Sequence, residues 1–307
     1  MAAERNIDNL LVVVDDALSM PYLLEKAEVL AGKDAEVHVI QVIYEGVAEI
    51  SMSAIEDSAR LKSFILESAE AQLEDALDNA RGRFKKLESA TLWNARAWEG
   101  VLHAAERAGA DLILKAIQEQ HGVGEQIASV VRTPDEWNLL RHAKVPVMLV
   151  KPQAWRTETA LVCALDVFDE SHDDLNQEVL RRSGQLAGLL QAELDLVYAY
   201  PLFEPWVGEF GAVKSYADIK TSIEDDARGR AESLAAKAGV SFRHLHLEEG
   251  HTAQVLARLV EDAEAALLVV GTHAREGVRG VLLGNTSERI VHTVNCDVVT
   301  VPAPWAG

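Results

Sequence analysis

Gly271, Gly277, Gly280 and Gly284, followed at once by Asn285, Thr286 and Ser287, are the residues of this chain best suited to hold an anion. Glycines let backbone N–H groups approach a phosphate closely. Asn, Thr and Ser are favoured caps for a helix whose uncapped N–H groups and positive dipole end then hold the charge. The apolar run Leu267–Val270 in front reads as a buried strand of a parallel sheet, and Ile290, Val291 and Val294 behind it read as one face of a helix. Strand, glycine loop and capped helix form a phosphate-binding order. It is not a Walker A loop, because no Gly-Lys-Ser/Thr follows the glycines, and it is not a GxGxxG fingerprint. The bland reading of the same stretch is a turn ahead of a helix.

Other residue types offer less. Asp15 and Asp166 each end an apolar run, Leu10–Val14 and Leu161–Leu165, where a ligand crevice opens in a parallel sheet. Either could instead cap the helix that follows; Asp166 is assigned to a pocket and Asp15 to a cap. His244 and His246 alternate on one strand face and His251 follows, a set that could in principle hold zinc, although surface histidines explain it more simply. No Ser-His-Asp order, paired catalytic carboxylates or HExxH is present, so no catalytic residue and no metal ligand is assigned. Tyr198, Tyr200, Phe203, Trp206, Phe210 and Tyr216 crowd one segment, which reads either as a lid over a ligand or as a packing cluster beneath a long loop.

The elements that must position these groups occur twice. In the first half, strands are predicted at Leu10–Val14, Val37–Ile43, Ala90–Trp93, Leu112–Leu114 and Val145–Val150, with helices on Leu23–Ala31, Ile55–Phe84, Val101–Ala108 and Trp137–Ala143 between them. The polar joint KPQAWRTET, Lys151–Thr159, follows. The order then repeats with strands at Leu161–Leu165, Leu194–Tyr200, Phe242–Leu247, Leu267–Val270 and Val298–Val301, the helix after the third being capped by Thr252. Asp15 answers Asp166, DLILKA at Asp111 answers ALLVVG at Ala266, and VPVMLV at Val145 answers CDVVTV at Cys296. The expected domains are therefore 1–152 and 158–307, each a parallel α/β sheet covered on both faces. The first copy has lost the glycine loop: Thr133-Pro134-Asp135 stands for Gly284-Asn285-Thr286, and Asp135 and Glu136 put negative charge where an anion would bind. Ala116 stands for Gly271, and Lys115 before it reads as a side chain snorkelling from a strand end.

Composition bounds the partners. The 29 basic and 49 acidic residues leave a net charge of −20, which disfavours nucleic acid and anionic membranes. The N-terminal apolar run is too short for a signal peptide or a membrane span, and the two cysteines, Cys163 and Cys296, make no disulfide framework. A cytoplasmic protein is expected.

The glycine stretch resembles the nucleotide loop of the universal stress protein family, whose pattern is Gly, two residues, Gly, nine residues, Gly and then Ser or Thr. Gly271 and Gly284 fall on the first and third glycines; Ala274 stands at the second, and Asn285 stands where the hydroxyl residue is expected, with Thr286 and Ser287 next. The ending Leu-Gly-Asn-Thr resembles the tandem, E-type branch of the family, and the likeness covers essentially the whole chain. It implies two tandem five-stranded, Rossmann-type domains packed through their last strands as a pseudo-dimer, and allows a homodimer or further protein partners. It also implies a stress-response protein that binds ATP or ADP in the second domain with at most slow hydrolysis, Mg²⁺ being a sensible companion because it neutralises phosphate without a protein lysine. By the same matching, Ala164, Leu165 and Ala199 would line the base side of the pocket and Asp166 would orient the ribose or a metal-bound phosphate. Val270, Gly271, Thr272, His273, Ala274, Gly284, Asn285, Thr286 and Ser287 would meet the ribose and phosphates, with Arg275 and Arg279 adding charge. The alternatives are a module for an apolar or lipid-like small molecule, in which Ala274 and Asn285 mark a lost phosphate site, and a protein–protein scaffold.

Overall fold

The computed structural model describes residues 7–16, 18–31, 34–44, 55–117, 134–156, 159–200, 216–272, 290–291 and 293–303. The chain divides into two units, Met1–Ala154 and Trp155–Gly307.

The first unit runs β1 (Asn9–Val13), α1 (Met20–Ala31), β2 (Glu36–Ile43), α2 (Ile55–Leu77), β3 (Lys86–Trp93), α3 (Ala97–Ala108), β4 (Leu112–Ala116), α4 (Pro134–His142) and β5 (Val147–Val150). The second runs β6 (Ala160–Ala164), α5 (Asp173–Leu190), β7 (Glu193–Tyr200), α6 (Tyr216–Ala238), β8 (His244–Glu249), α7 (Thr252–Asp262), β9 (Ala265–Thr272) and β10 (Asp297–Pro302). Their sheets have the same order, β3-β2-β1-β4-β5 and β8-β7-β6-β9-β10, and every ladder is parallel. The sequence repeat is thus a repeat of topology.

Strand composition follows position in the sheet. The inner strands β1, β4, β6 and β9 are near-continuous Leu, Val and Ile because both faces are covered; Leu10–Val13 and Leu267–Val270 are all buried. Edge strands are half-exposed and carry charge. In β3 the pairs Glu36↔Lys86 and His38↔Glu88 lie opposite each other, and Lys86 Nζ reaches Glu36 at 3.1 Å and Glu88 at 3.0 Å. That charged face is why the apolar run Ala90–Trp93 shows only the second half of β3. The long first-unit helix ends earlier than its apolar stripe suggests: a single 3₁₀ turn, Asp78–Ala80, follows Leu77.

Three sequence expectations change at helix starts and strand ends. Asp15 does not cap α1: Asp16 Oδ1 accepts the Ser19 N–H at 2.8 Å in the turn ahead of the helix, and the Ser19 carbonyl takes the first helical bond, from the Leu23 N–H at 3.1 Å. Lys115 does not snorkel to water; it is 9% exposed and forms an ion pair with the Asp15 carboxylate. Thr252 is the first residue of α7 and not its cap, the cap position being His251, whose side chain makes no capping bond.

In both sheets the chain works outward from the first strand in one direction and then in the other. The reversal falls between β1 and β4 in the first unit and between β6 and β9 in the second. Crossover helices on opposite faces leave a crevice at that point, beyond the carboxyl ends of the strands.

Candidate functional site

The second-unit crevice is a cavity of about 610 Å³. Six of the nominated residues line it: Ala164, Leu165 and Asp166 at the end of β6, Ala199 in β7, and Val270 and Gly271 in β9. Thr272 is turned away, its hydroxyl donating to the Val301 carbonyl of β10 at 3.2 Å. His273, Ala274, Gly284, Asn285, Thr286 and Ser287 lie outside the described residues, as do Arg275, Arg279 and the aromatics Phe203, Trp206 and Phe210.

Most of the described wall is aliphatic or aromatic, with Leu175 of α5, Ile223 of α6 and Leu256 of α7 facing the strand ends, and Phe168, 72% exposed, at the rim. Gly271 has a packing reason independent of any anion. A Cβ there would lie 2.9 Å from Leu175 Cδ2, so its absence is what lets α5 close down on β9.

Asp166 is the polar focus. Its backbone is clamped by one buried side chain: Asn176 Oδ1 accepts the Asp166 N–H at 3.1 Å, and Asn176 Nδ2 donates to the Asp166 carbonyl at 2.7 Å. The amide thereby satisfies two main-chain groups that leave the β6 ladder, which keeps the strand end fixed without another strand beside it. His172, in the 3₁₀ turn Glu170–His172 before α5, lies with Nδ1 2.9 Å from Asp166 Oδ2. His172, Asn176, Phe168 and Thr252 all line the cavity and were not nominated from the sequence. Their one legible signal is the His172/Asn176 spacing of four, which puts both on the same side of a helix start.

Tyr198 closes the polar end. Burial, reinforced by the Asp166 carboxylate and opposed by Arg230, pushes its phenol up to about 12. Tyr198 is therefore a neutral hydroxyl in the wall at neutral pH. Between the ordinary tyrosine value and about 12 the unfolded chain gives up this proton and the folded chain keeps it, so its contribution to stability is present below pH 10 and is lost as pH rises toward 12. In alkaline ultraviolet titration, the wild type minus Tyr198→Phe difference should show a phenolate appearing near pH 12; a difference completed near pH 10 would place this hydroxyl in water.

The first unit is built differently at the matching place. Lys115 stands where Val270 stands in the second unit, and its ion pair with Asp15 already neutralises the carboxylate that corresponds to Asp166. Helix α4 begins at Pro134, whose missing N–H removes a donor from the helix start. Among the described residues no group of three or more His, Cys, Asp or Glu side chains is placed to hold a metal; His244 and His246 stack edge to face with centroids 6.0 Å apart. Burial pushes the Cys163 thiol up to about 12, which leaves it a packing group and not a nucleophile. None of the described helices is long and apolar enough to cross a membrane.

The model of the universal stress protein family matches the chain twice, over residues 6–151 and 161–302. Relatives include the universal stress protein E homolog of Haemophilus influenzae, 25% identical over 95% of this chain and 96% of that one. Universal stress protein E of Escherichia coli K12 is 29% identical over 70% of this chain and 68% of its own. Among solved structures, one from Pseudomonas aeruginosa aligns with a TM-score of 0.71 at 24% identity, covering 98% of this chain and 95% of that one. A universal stress protein from Archaeoglobus fulgidus aligns with a TM-score of 0.60 at 16% identity over 96% and 97% of the two chains. At these identities the structural likeness is one of fold.

Proposed function

Because this chain belongs to the universal stress protein family, as two tandem copies of its fold, we propose that it binds an adenine nucleotide, ATP or ADP, in the second unit and serves as a stress-response nucleotide sensor. The observation that carries the reading is the convergence of Ala164–Asp166 and Val270–Gly271 on one cavity at the switch point of the second sheet. Its volume lies within the roughly 300–1,000 Å³ of small-molecule sites. The aliphatic wall suits a base, Asp166 suits a sugar hydroxyl, and the glycine pattern of the sequence Gly271–Ser287 suits phosphates. Hydrolysis is at most slow on this reading, which assigns no catalytic residue. The acidic balance and the two buried thiols are consistent with work in the cytoplasm on a small ligand, apart from nucleic acid and membranes.

One observation favours a second reading. The exposed Phe168 at the rim and the aliphatic wall would also accept the apolar part of an amphipathic molecule. Mass spectrometry of the material released by heat from freshly purified protein separates the two. Recovered ATP or ADP is the expected result, and a lipid-like molecule in its place would overturn the nucleotide reading. If the preparation is empty, titration with ATP decides: saturable binding keeps the nucleotide site, and its absence leaves a scaffold for partner proteins.

A further inference from the structure

We infer that His172 is a positioning residue that makes Asp166 an acceptor for sugar hydroxyls, so that the second-unit cavity selects ligands carrying a ribose diol; this rests on the nucleotide reading above. Asp166 is held at three points by one short stretch of chain. Asn176, itself 3% exposed, bonds both its N–H and its C=O, and His172 bonds its carboxylate. An ionised carboxylate only accepts, so the contact at 2.9 Å is an imidazole N–H donating to Oδ2. Backbone and side-chain torsions of Asp166 are thus fixed before any ligand arrives, while 57% of the side chain stays exposed.

A carboxylate in this place could serve a divalent cation or a hydroxyl pair. Cation sites of magnesium or calcium type gather several oxygen ligands. Asp166 is the one carboxylate among the described residues that line the cavity, and one of its oxygens already accepts from His172. Two vicinal hydroxyls need only an acceptor held at a fixed angle, and a carboxylate at the end of a strand near a switch point is well suited to a ribose diol. The charged groups around His172 are the Asp166 carboxylate, Asp169 with Oδ2 3.9 Å from Nε2, and the Glu170–Arg230–Asp173 cluster beside the same turn. Two of these acids face the ring directly, Asp166 at Nδ1 and Asp169, farther off, at Nε2.

Isothermal titration with ATP and with 2′,3′-dideoxy-ATP tests the assignment. Wild-type protein should prefer ATP by about tenfold or more, since a site built to pair hydroxyls discriminates against an analogue that lacks them. In H172A the ratio should fall toward one, while the affinity for the dideoxy nucleotide stays within about threefold, which also reports that the cavity is intact. H172Q, whose amide can donate to the same oxygen, should recover part of the preference, and D166N should lose it as H172A does. An unchanged ratio in H172A or in D166N, or a wild-type ratio near one, overturns the role given to His172. Wild-type protein that binds neither nucleotide overturns the nucleotide reading itself, an outcome distinct from loss of discrimination.

Discussion

Tryptophan at Ala199 is expected to lower ATP affinity by at least about a hundredfold while shifting the melting temperature by only a few degrees, because the indole enters an open cavity and not a packed core. Ala199 belongs to β7, is only partly buried and lines the cavity. Aromatic residues are well tolerated in strands, and the space beside Ala199 is part of the 610 Å³ in which the base is proposed to lie. The companion substitution is Gly284→Trp, which the glycine pattern alone predicts will block the phosphate end. Titration calorimetry and a thermal melt on each variant read the two effects separately. Loss of ATP binding in both variants is expected. Loss in Ala199→Trp alone would mean that the ligand occupies the cavity without using the glycine loop, as an apolar molecule would. Full affinity in Ala199→Trp would remove the cavity from the site.

Those two substitutions stand on different kinds of knowledge, and the difference shows what a sequence can say about this molecule. The buried strands were legible because burial on both faces demands unbroken apolar runs, as in Leu10–Val13 and Leu267–Val270. The repeat was legible because two copies of one topology need the same runs in the same order. Edge strands were legible only in part, since the exposed face of β3 carries Lys86 and Glu88 and reads as loop until its partners Glu36 and His38 are placed beside it. Asp15 and Asp16 show a finer limit. Two adjacent carboxylates were visible, but which one braces the turn ahead of α1 depends on where the chain turns, and the other found a cation, Lys115, 100 residues away in sequence. His172 and Asn176 were illegible for the same reason. Their spacing of four marks only a shared side of a helix start, and they matter because α5 packs its first turn against the end of β6.

The largest expected effect on stability lies at the opposite end of β7 from the cavity. Asp195 is 2% exposed, and Arg243, just ahead of β8, holds it with two bonds: Nε to Oδ1 at 3.0 Å and Nη2 to Oδ2 at 2.6 Å. Hydrogen bonding to Asp195 keeps the guanidinium protonated beyond its ordinary range, and the remaining amino group pairs with Glu193. The pairing also sets register, because the Arg243 N–H donates to the Leu194 carbonyl at 2.7 Å and Asp195 stands opposite His244. Arg243→Met keeps the length of the stem and removes the charge, leaving a carboxylate in the sheet whose one remaining basic neighbour among the described residues is His246, at 4.0 Å. Breaking a buried pair from one side costs roughly 3–5 kcal/mol; because a third of Arg243 is already in water, about 2–3 kcal/mol is expected, read as a fall in the urea midpoint. Adding Asp195→Leu should recover most of that loss, since two apolar groups of similar size no longer leave a charge unpaired. Four residues separate Asp195 from Ala199, roughly 13 Å along a strand, so Arg243→Met should leave ATP affinity unchanged wherever the protein is folded. An Arg243→Met protein as stable as wild type would show that water reaches Asp195, and that β7 and β8 are held in register by their ladder alone.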